Sequence, residues 1–327
     1  MLTRRRLATL ASALTLPAAA ARAEERWPTK LLRVLVGSAP GSSVDAPVRA
    51  VCQRLSERFG VSIVVENKVG AAGTIAATEA LRAPADGYTL LIGTNGELVN
   101  GEFLWRNSGR SFPYDPAKDF VPVALVQRGA GMLVARPGLG ITSLAELIAK
   151  AKANPGKLTI GSGGVGSTVH LVAELFNREA VIDTLIVHFR GSPQTLMALR
   201  SGDIDMMFAT PFEIIDFVKQ KDMIPLAVSH TQRIPLYPDV PTFAELGLPK
   251  VINLPFVTFC VRSGTPDHVV RALNQAVIEE IAGGPGKPPL TSPGRESPPL
   301  TPEQLAAFIT HERERWADII LKAKIAT

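Results

Sequence analysis

The apolar positions of this chain fall into short β-branched runs that alternate with stretches of helical spacing. Val34, Leu35 and Val36 form a strand-like run. Pro40 and Gly41 interrupt it, and Ser42, Ser43 and Asp45 are side chains that start helices. Val48, Val51, Cys52, Leu55 and Phe59 then recur at helical spacing up to Gly60, with Pro47 in the first turn, where its missing N–H costs little. Val61 to Glu66 predicts a second strand, Gly70-Ala71-Ala72-Gly73 opens a helix through Arg82, and Tyr88 to Gly93 predicts a buried strand ending at Thr94 and Asn95. A β-α-β-α-β run of this kind predicts a parallel sheet, with ligands held beyond the carboxyl ends of its strands.

Residues 100–119 show no clear period and are expected to be irregular. Val121 to Gln127 and Met132 to Arg136 read as strands leading out of a first lobe, and Ser143 with Glu146 predicts a capping box for a helix from Leu144 to Ala153. Leu158 to Ile160 is again a strand that meets a small polar loop, Gly161 to Thr168, and then a helix. Leu185 to His188 and Ile204 to Ala209 are expected as strands, separated by a helix with Ser192 as cap, Pro193 as its first residue and Gly202 as its stop. Phe212 to Lys219 reads as a helix and Ile224 to Ser229 as a strand returning to the first lobe, so the second lobe is a chain insertion. Thr242 and Glu245 predict a short helix closed by Gly247, Val257 to Val261 a strand, and Thr265-Pro266 a helix to Ile281. Residues 283–302 carry seven prolines and no expected packed element. Leu305, Phe308, Ile309, Trp316, Ile319 and Ile320 form the apolar side of a terminal helix. The units expected are 1–23 as a leader, 24–125 and 228–327 as one lobe, and 126–227 as the other.

The two strand-loop-helix junctions, about 120 residues apart, matter for chemistry. A helix leaves its first N–H groups without intrahelical partners, and its dipole places positive charge there, so a carboxylate or phosphate is favoured at each junction. Two such sockets suggest two lobes facing one small acidic ligand.

Composition narrows the field. The chain has 327 residues, 46% of them hydrophobic and 20% charged, which describes a globular protein of about two domains. Its formal charge of +5 comes mostly from Arg4, Arg5, Arg6 and Arg22; removing these four of 35 basic residues leaves 31 against 30 acidic ones. Nucleic-acid binding is thereby set aside. The same arginines precede and follow an apolar stretch, Leu7 to Ala21, that ends in Ala21-Arg22-Ala23, the layout of a cleaved export signal. Thr3-Arg4-Arg5-Arg6-Leu7 fits a twin-arginine signal as well as a Sec signal. No cysteine follows the stretch, so an exported soluble protein beginning near Glu24 is expected. Cys52 and Cys260 have no metal-type spacing and are free to pair or to remain core thiols.

Gly161-Ser162-Gly163-Gly164-Val165-Gly166 fits G-x-G-x-x-G between a strand and a helix, and so raises a nicotinamide-dependent enzyme as an alternative. The acidic residue such a site needs would follow the next strand, whereas Asp183 precedes it. No G-x-S-x-G, H-E-x-x-H, C-x-x-C or P-loop lysine pattern is present. Among the five histidines, His170 is the candidate for a ligand contact, one turn into the second socket helix. Arg190 follows a strand at the expected cleft, where a guanidinium can grip a carboxylate with two parallel bonds. Asp45 reads first as a helix-start acid and second as a ligand contact.

An ordered series of residues resembles one family throughout. Trp27-Pro28, Ala39-Pro40-Gly41, Asp45 with Arg49, Val65-Glu66-Asn67 and Gly70-Ala71-Ala72-Gly73 open it. Asp86-Gly87-Tyr88-Thr89-Leu90-Leu91, Asp115 to Phe120, Gly161-Ser162 to His170, Asp239-Val240-Pro241-Thr242 with Glu245, and Gly264-Thr265-Pro266 continue it. The chain resembles the Bug family, the periplasmic solute-binding receptors of tripartite tricarboxylate transporters, over nearly all of Trp27 to Ile281 and again at the terminal helix.

The resemblance implies an α/β, two-lobed periplasmic-binding-protein fold of type II, each lobe a mostly parallel sheet flanked by helices. It implies a non-enzymatic, monomeric receptor without cofactor or metal, which closes about a hinge on a small organic carboxylate and hands it to a membrane permease. A di- or tricarboxylate, an acidic amino acid and an aromatic acid all fit; a sensory partner that passes nothing to a permease is the other non-enzymatic alternative. Carried over by position, the first pincer is Ala39, Pro40, Gly41, Ser42, Ser43 and Asp45 with Thr94 and Asn95. The second is Ser162, Gly163, Gly164, Gly166, Ser167, Thr168 and His170 with Phe189, Arg190 and Gly191. The hinge candidates are Val121 to Gln127 and Leu226 to Ser229. The chain departs from the family pattern in having Pro40-Gly41-Ser42 for proline-glycine-glycine, and His188-Phe189-Arg190-Gly191 for proline-tyrosine-lysine-glycine. Phe256 lies near an expected tryptophan, and the proline-rich stretch 283–302 stands where relatives have a helix and a glycine-ended strand.

Overall fold

The computed structural model describes residues 26–189, 191–290, 294–323 and 325; the expected export signal and Arg190 lie outside the described residues. The first alternation folds as β1 (Leu32–Val36), α1 (Asp45–Phe59), β2 (Ile63–Asn67), α2 (Thr74–Arg82) and β3 (Thr89–Thr94). β1 pairs in parallel with both neighbours, Val34 standing opposite Val65 on one side and Leu90 on the other. Burial on both faces explains why these strands read as continuous apolar runs.

Residues 100–119 correct the expectation of irregular chain. Gly96–Asn100 winds so that the Gly101 N–H reaches the Gly96 carbonyl five residues back, and it runs into α3 (Gly101–Asn107). α4 (Pro116–Asp119) follows, with the Asp115 carboxylate accepting the Ala117 N–H at 3.0 Å. The wide turn carries one extra residue, which shifts the phase of the buried positions Leu98, Val99 and Leu104 and hides the helical period.

β4 (Phe120–Gly129) is followed after Ala130 by β5 (Gly131–Ala135), then α5 (Leu144–Ala153), β6 (Thr159–Ser162), α6 (Thr168–Ala180), β7 (Leu185–His188), α7 (Ser192–Ser201), β8 (Met206–Ala209), α8 (Ile215–Lys219) and β9 (Ile224–Ser229). The chain closes with β10 (Phe256–Arg262), α9 (Asp267–Ala282), β11 (Arg295–Glu296) and α10 (Pro302–Ala323). Two sheets result, in the orders β11-β4-β10-β3-β1-β2 and β7-β6-β8-β5-β9. Each is flanked by helices, giving a two-lobed α/β fold, but the sheets are mixed and not mostly parallel as expected, because β10 runs antiparallel to β3 and β4, and β5 antiparallel to β8 and β9. β4 and β5 belong to different sheets and are joined through the buried Ala130 alone.

Four local expectations are corrected. β9 does not return to the first sheet; it pairs with β5 at the edge of the second, and the return comes at β10. α7 begins at Ser192 with Gly191 as its cap, one residue earlier than read. Thr242 and Glu245 do exchange bonds in a capping box, but residues 243–247 form turns rather than a helix. The proline-rich stretch holds a packed element, because Arg295 and Glu296 pair with Gly129 and Arg128 on β4.

Val48, Val51 and Leu55 of α1 share a core with Leu273 and Val277 of α9 on one face of the first sheet. α10 packs on β4 and on the Gly96–Asn100 turn, burying Leu305, Trp316 and Ile320. Its start is a capping box in which Gln304 accepts the Thr301 N–H at 2.9 Å and Thr301 accepts the Gln304 N–H at 3.3 Å. Cys52 and Cys260 are both buried and free. Among the described residues, no helix is long and apolar enough to cross a membrane.

Candidate functional site

The loop after β1 is organised by an acid of its own. Asp45, 1% exposed, accepts the Gly41 N–H and the Arg49 Nε–H on one oxygen, each at 2.8 Å, and the Asn67 amide on the other at 2.8 Å. Burial pushes its carboxyl up, but the bonds from Arg49, Asn67 and Gly41 outweigh this and hold it below the usual aspartate value. The Ser42 hydroxyl accepts the Asp45 N–H at 3.2 Å. Asp45 and the Gly41 amide are therefore engaged inside the loop, while Ala39 and Pro40 stand exposed at its tip.

At the end of β3 a second acid is buried. Glu97, 3% exposed, accepts the backbone N–H and the hydroxyl of Thr94. Its side chain fills the space that a Cβ would need at Gly37 and at Gly73, so three loops converge on one carboxyl. Burial raises this group above the ordinary glutamate value, against the bonds from Thr94. Asn95 is directed elsewhere: its side-chain oxygen accepts the Phe256 N–H at 3.1 Å and ties β3 to β10.

The second loop is held by imidazoles and hydroxyls. The Ser162 hydroxyl lies 2.7 Å from His188 Nδ1 and accepts the Gly164 N–H at 3.3 Å. His170, 6% exposed, accepts the Gly166 N–H on Nδ1 at 2.9 Å, and its ring meets that of His188 edge-on at 4.7 Å. Burial pushes the His188 imidazole down, and the neighbouring His170 adds to this. Ser167 caps α6, its hydroxyl accepting the His170 N–H at 3.2 Å, while its own N–H goes to the Gly164 carbonyl. Among the described residues, the amides of Thr168 and Val169, in the first turn of α6, have no intrahelical acceptor. Gly163 packs against the backbone of Gly191, the cap of α7, and Phe189 donates its N–H to the Ser162 carbonyl at 2.9 Å.

Two cavities flank the first loop, and one of them also reaches the second. One, of about 430 Å³, joins Gly37, Ser38, Gly73, Thr94 and Glu97 of the first lobe to Val165, Gly166, Ser167 and Thr168 of the second. The other, of about 480 Å³, lies on the opposite flank of the first loop and is lined by Gly41, Ser42 and Ser43 together with Gln127, Phe212, Glu213 and Arg295. Of the residues read from the sequence, Thr94, Gly166, Ser167 and Thr168 meet in the first cavity and Gly41, Ser42 and Ser43 in the second. Asp45, Asn95, Ser162 and His170 are turned into the protein, where they shape the loops. Gly37, Gly73 and Glu97 in the first cavity and Arg295 in the second were not among the residues chosen from the sequence. Among the described residues, no group of three His, Cys, Asp or Glu side chains is placed to hold a metal ion.

The model of the tripartite tricarboxylate transporter family receptor matches residues 48–325. Protein BugT of Bordetella pertussis is 29% identical over 297 residues, covering 90% of this chain and 90% of that protein. A solved Rhodopseudomonas palustris protein, Rpa4515 with adipate, superimposes with a TM-score of 0.79 at 31% identity, covering 92% of this chain and 99% of the other. MatC from the same organism, with bound malate, gives a TM-score of 0.77 at 29% identity, with 90% and 100% covered.

Proposed function

Since this chain belongs to the tripartite tricarboxylate transporter receptor family, a family of solute-binding receptors rather than enzymes, we propose that it captures a small organic carboxylate between its lobes and delivers it to the membrane permease of such a transporter. The observation that carries the reading is the cavity in which Gly37, Ser38 and Thr94 face the first turn of α6 across the interlobe gap. One carboxylate of the ligand sits on the free amides of Thr168 and Val169 and the hydroxyl of Thr168, with the helix dipole behind them. The first-lobe wall supplies the Thr94 side chain and the backbone of Gly37 and Ser38. Closure is a rotation about the two crossings between the sheets, at Ala130 and between β9 and β10. The adipate and malate of the two R. palustris structures make dicarboxylates the first class to try. The protein acts in the periplasm as a monomer, after export on the basic, apolar N-terminus and cleavage near Ala23.

A thermal-shift and calorimetric screen of the purified protein tests this, using dicarboxylates, tricarboxylates, acidic amino acids, aromatic acids and nicotinamide nucleotides. A cognate acid at one hundred times its Kd adds about 2.7 kcal/mol, a shift of a few degrees. Binding of nucleotides alone, or of no acid at all, would overturn the reading.

A further inference from the structure

The cavity on the hinge side of the first loop contains a cation that the receptor reading does not use. Arg295 lies in the proline-rich stretch 283–302. Its backbone is fixed by the pairing of β11 with β4, where Arg295 stands opposite Gly129. Its guanidinium lies over the Phe212 ring at 5.0 Å, so it reaches from the first sheet to the second lobe. Its Nε is buried and has no hydrogen-bond partner among the described residues. The neighbouring acid Glu296 is turned away, toward Arg128 and His230. Glu213 shares the cavity and acts on Arg295 through space, yet among the described residues the two form no ion pair. Burial also pushes the Glu213 carboxyl up, which weakens it as a counter-charge.

A partly buried guanidinium is costly until an anion completes it, and a carboxylate matches its fork of donors. The rest of the cavity is mixed. Pro47, Val51 and Leu290 give an apolar wall, and Ser42 and Ser43 a polar rim. We propose that Arg295 makes this cavity a carboxylate subsite, built for an organic acid whose anionic end meets the guanidinium and whose apolar body lies along Pro47, Val51 and Leu290. The proposal rests on the receptor reading and deepens it: the proline-rich stretch supplies a specificity-determining residue, and an acid held there touches both lobes.

Calorimetry on the purified protein tests this with straight-chain monocarboxylates of four to eight carbons, adipate, benzoate and the matching primary amides. Affinity rises roughly fourfold for each methylene that reaches the wall, and the amides bind at least about tenfold more weakly than the acids. Arg295→Gln weakens the favoured acid about tenfold or more, and Arg295→Lys, which keeps the charge but not the fork, loses less. Ala46→Phe, which fills the cavity from the exposed start of α1, excludes the acid. It decides the matter if the Arg295 variants melt early. Acids that bind Arg295→Gln or Ala46→Phe as tightly as the parent overturn this proposal and leave the receptor reading standing. Failure of every acid to bind the parent protein overturns both.

Discussion

The carboxylate of Asp45 accepts the backbone N–H of Gly41, four residues earlier, at 2.8 Å. The first socket thus carries an anion of its own, locked to Arg49 and Asn67, and the loop is ordered before any ligand arrives. Asp45→Ala leaves the Gly41 N–H, the Arg49 guanidinium and the Asn67 amide without their acceptor. The expected cost is about 2 kcal/mol or more, read as a drop of several degrees in Tm. Asp45→Asn, which keeps one acceptor oxygen, is expected to lose less.

Acid titration separates two carboxylates of opposite behaviour. Glu66, bonded first by Arg33 and then by Lys68, is held down to about 2 from its ordinary 4.5. Its folded value lies below its unfolded one, so its stabilisation is complete above about pH 4.5 and is lost as the pH falls toward 2. Denaturant titrations between pH 2 and 6 are expected to show this loss, and Glu66→Gln to flatten it.

Glu97 has the reverse sign, because burial raises its folded value above 4.5. The folded state then holds a proton that the unfolded state releases, so this group costs stability as the pH rises above about 4.5. Glu97→Gln is expected to gain on the parent protein progressively from pH 5 to pH 8. A stability difference that stays constant across that range would show that the carboxyl is already ionised in its pocket.

Gly73 has φ +87° and its missing Cβ leaves room for the Glu97 side chain. Gly73→Ala combines left-handed backbone strain with overpacking, each worth about 1 kcal/mol or more. The variant is expected to melt far below the parent, and Gly73→Ala with Glu97→Gly to recover part of the loss.

The α6 socket is testable without disturbing the fold. Thr168 is the first residue of α6, and Ser167 before it is extended, so proline fits at 168. Thr168→Pro removes one orphan N–H and the hydroxyl together. It is expected to weaken the cognate acid about tenfold or more with Tm nearly unchanged, while Thr168→Ala reports the hydroxyl alone.

Most of the framework was legible because its signals are local. Alternating apolar runs, the Pro40-Gly41 and Gly161–Thr168 breaks and the capping box of Ser143 with Glu146 specify strands, loops and helix starts within a few residues of themselves. The wide turn at 96–100 was not legible, since one inserted residue moves the buried positions out of phase. Arg295 and Glu296 escaped as well, because two residues between prolines carry no periodicity and their pairing partner lies more than 160 positions away.

For the site, the sequence by itself determined where the chain must turn, which loops end in helix N-termini, and which small polar residues those loops contain. Only the tertiary structure decided which of these groups remain available. Asp45, His170 and Asn95 are the chemically conspicuous side chains, yet packing directs them to Gly41, Gly166 and Phe256. Side-chain direction and unmet hydrogen-bonding capacity depend on neighbours brought from distant parts of the chain, and a pattern along the sequence does not encode them residue by residue.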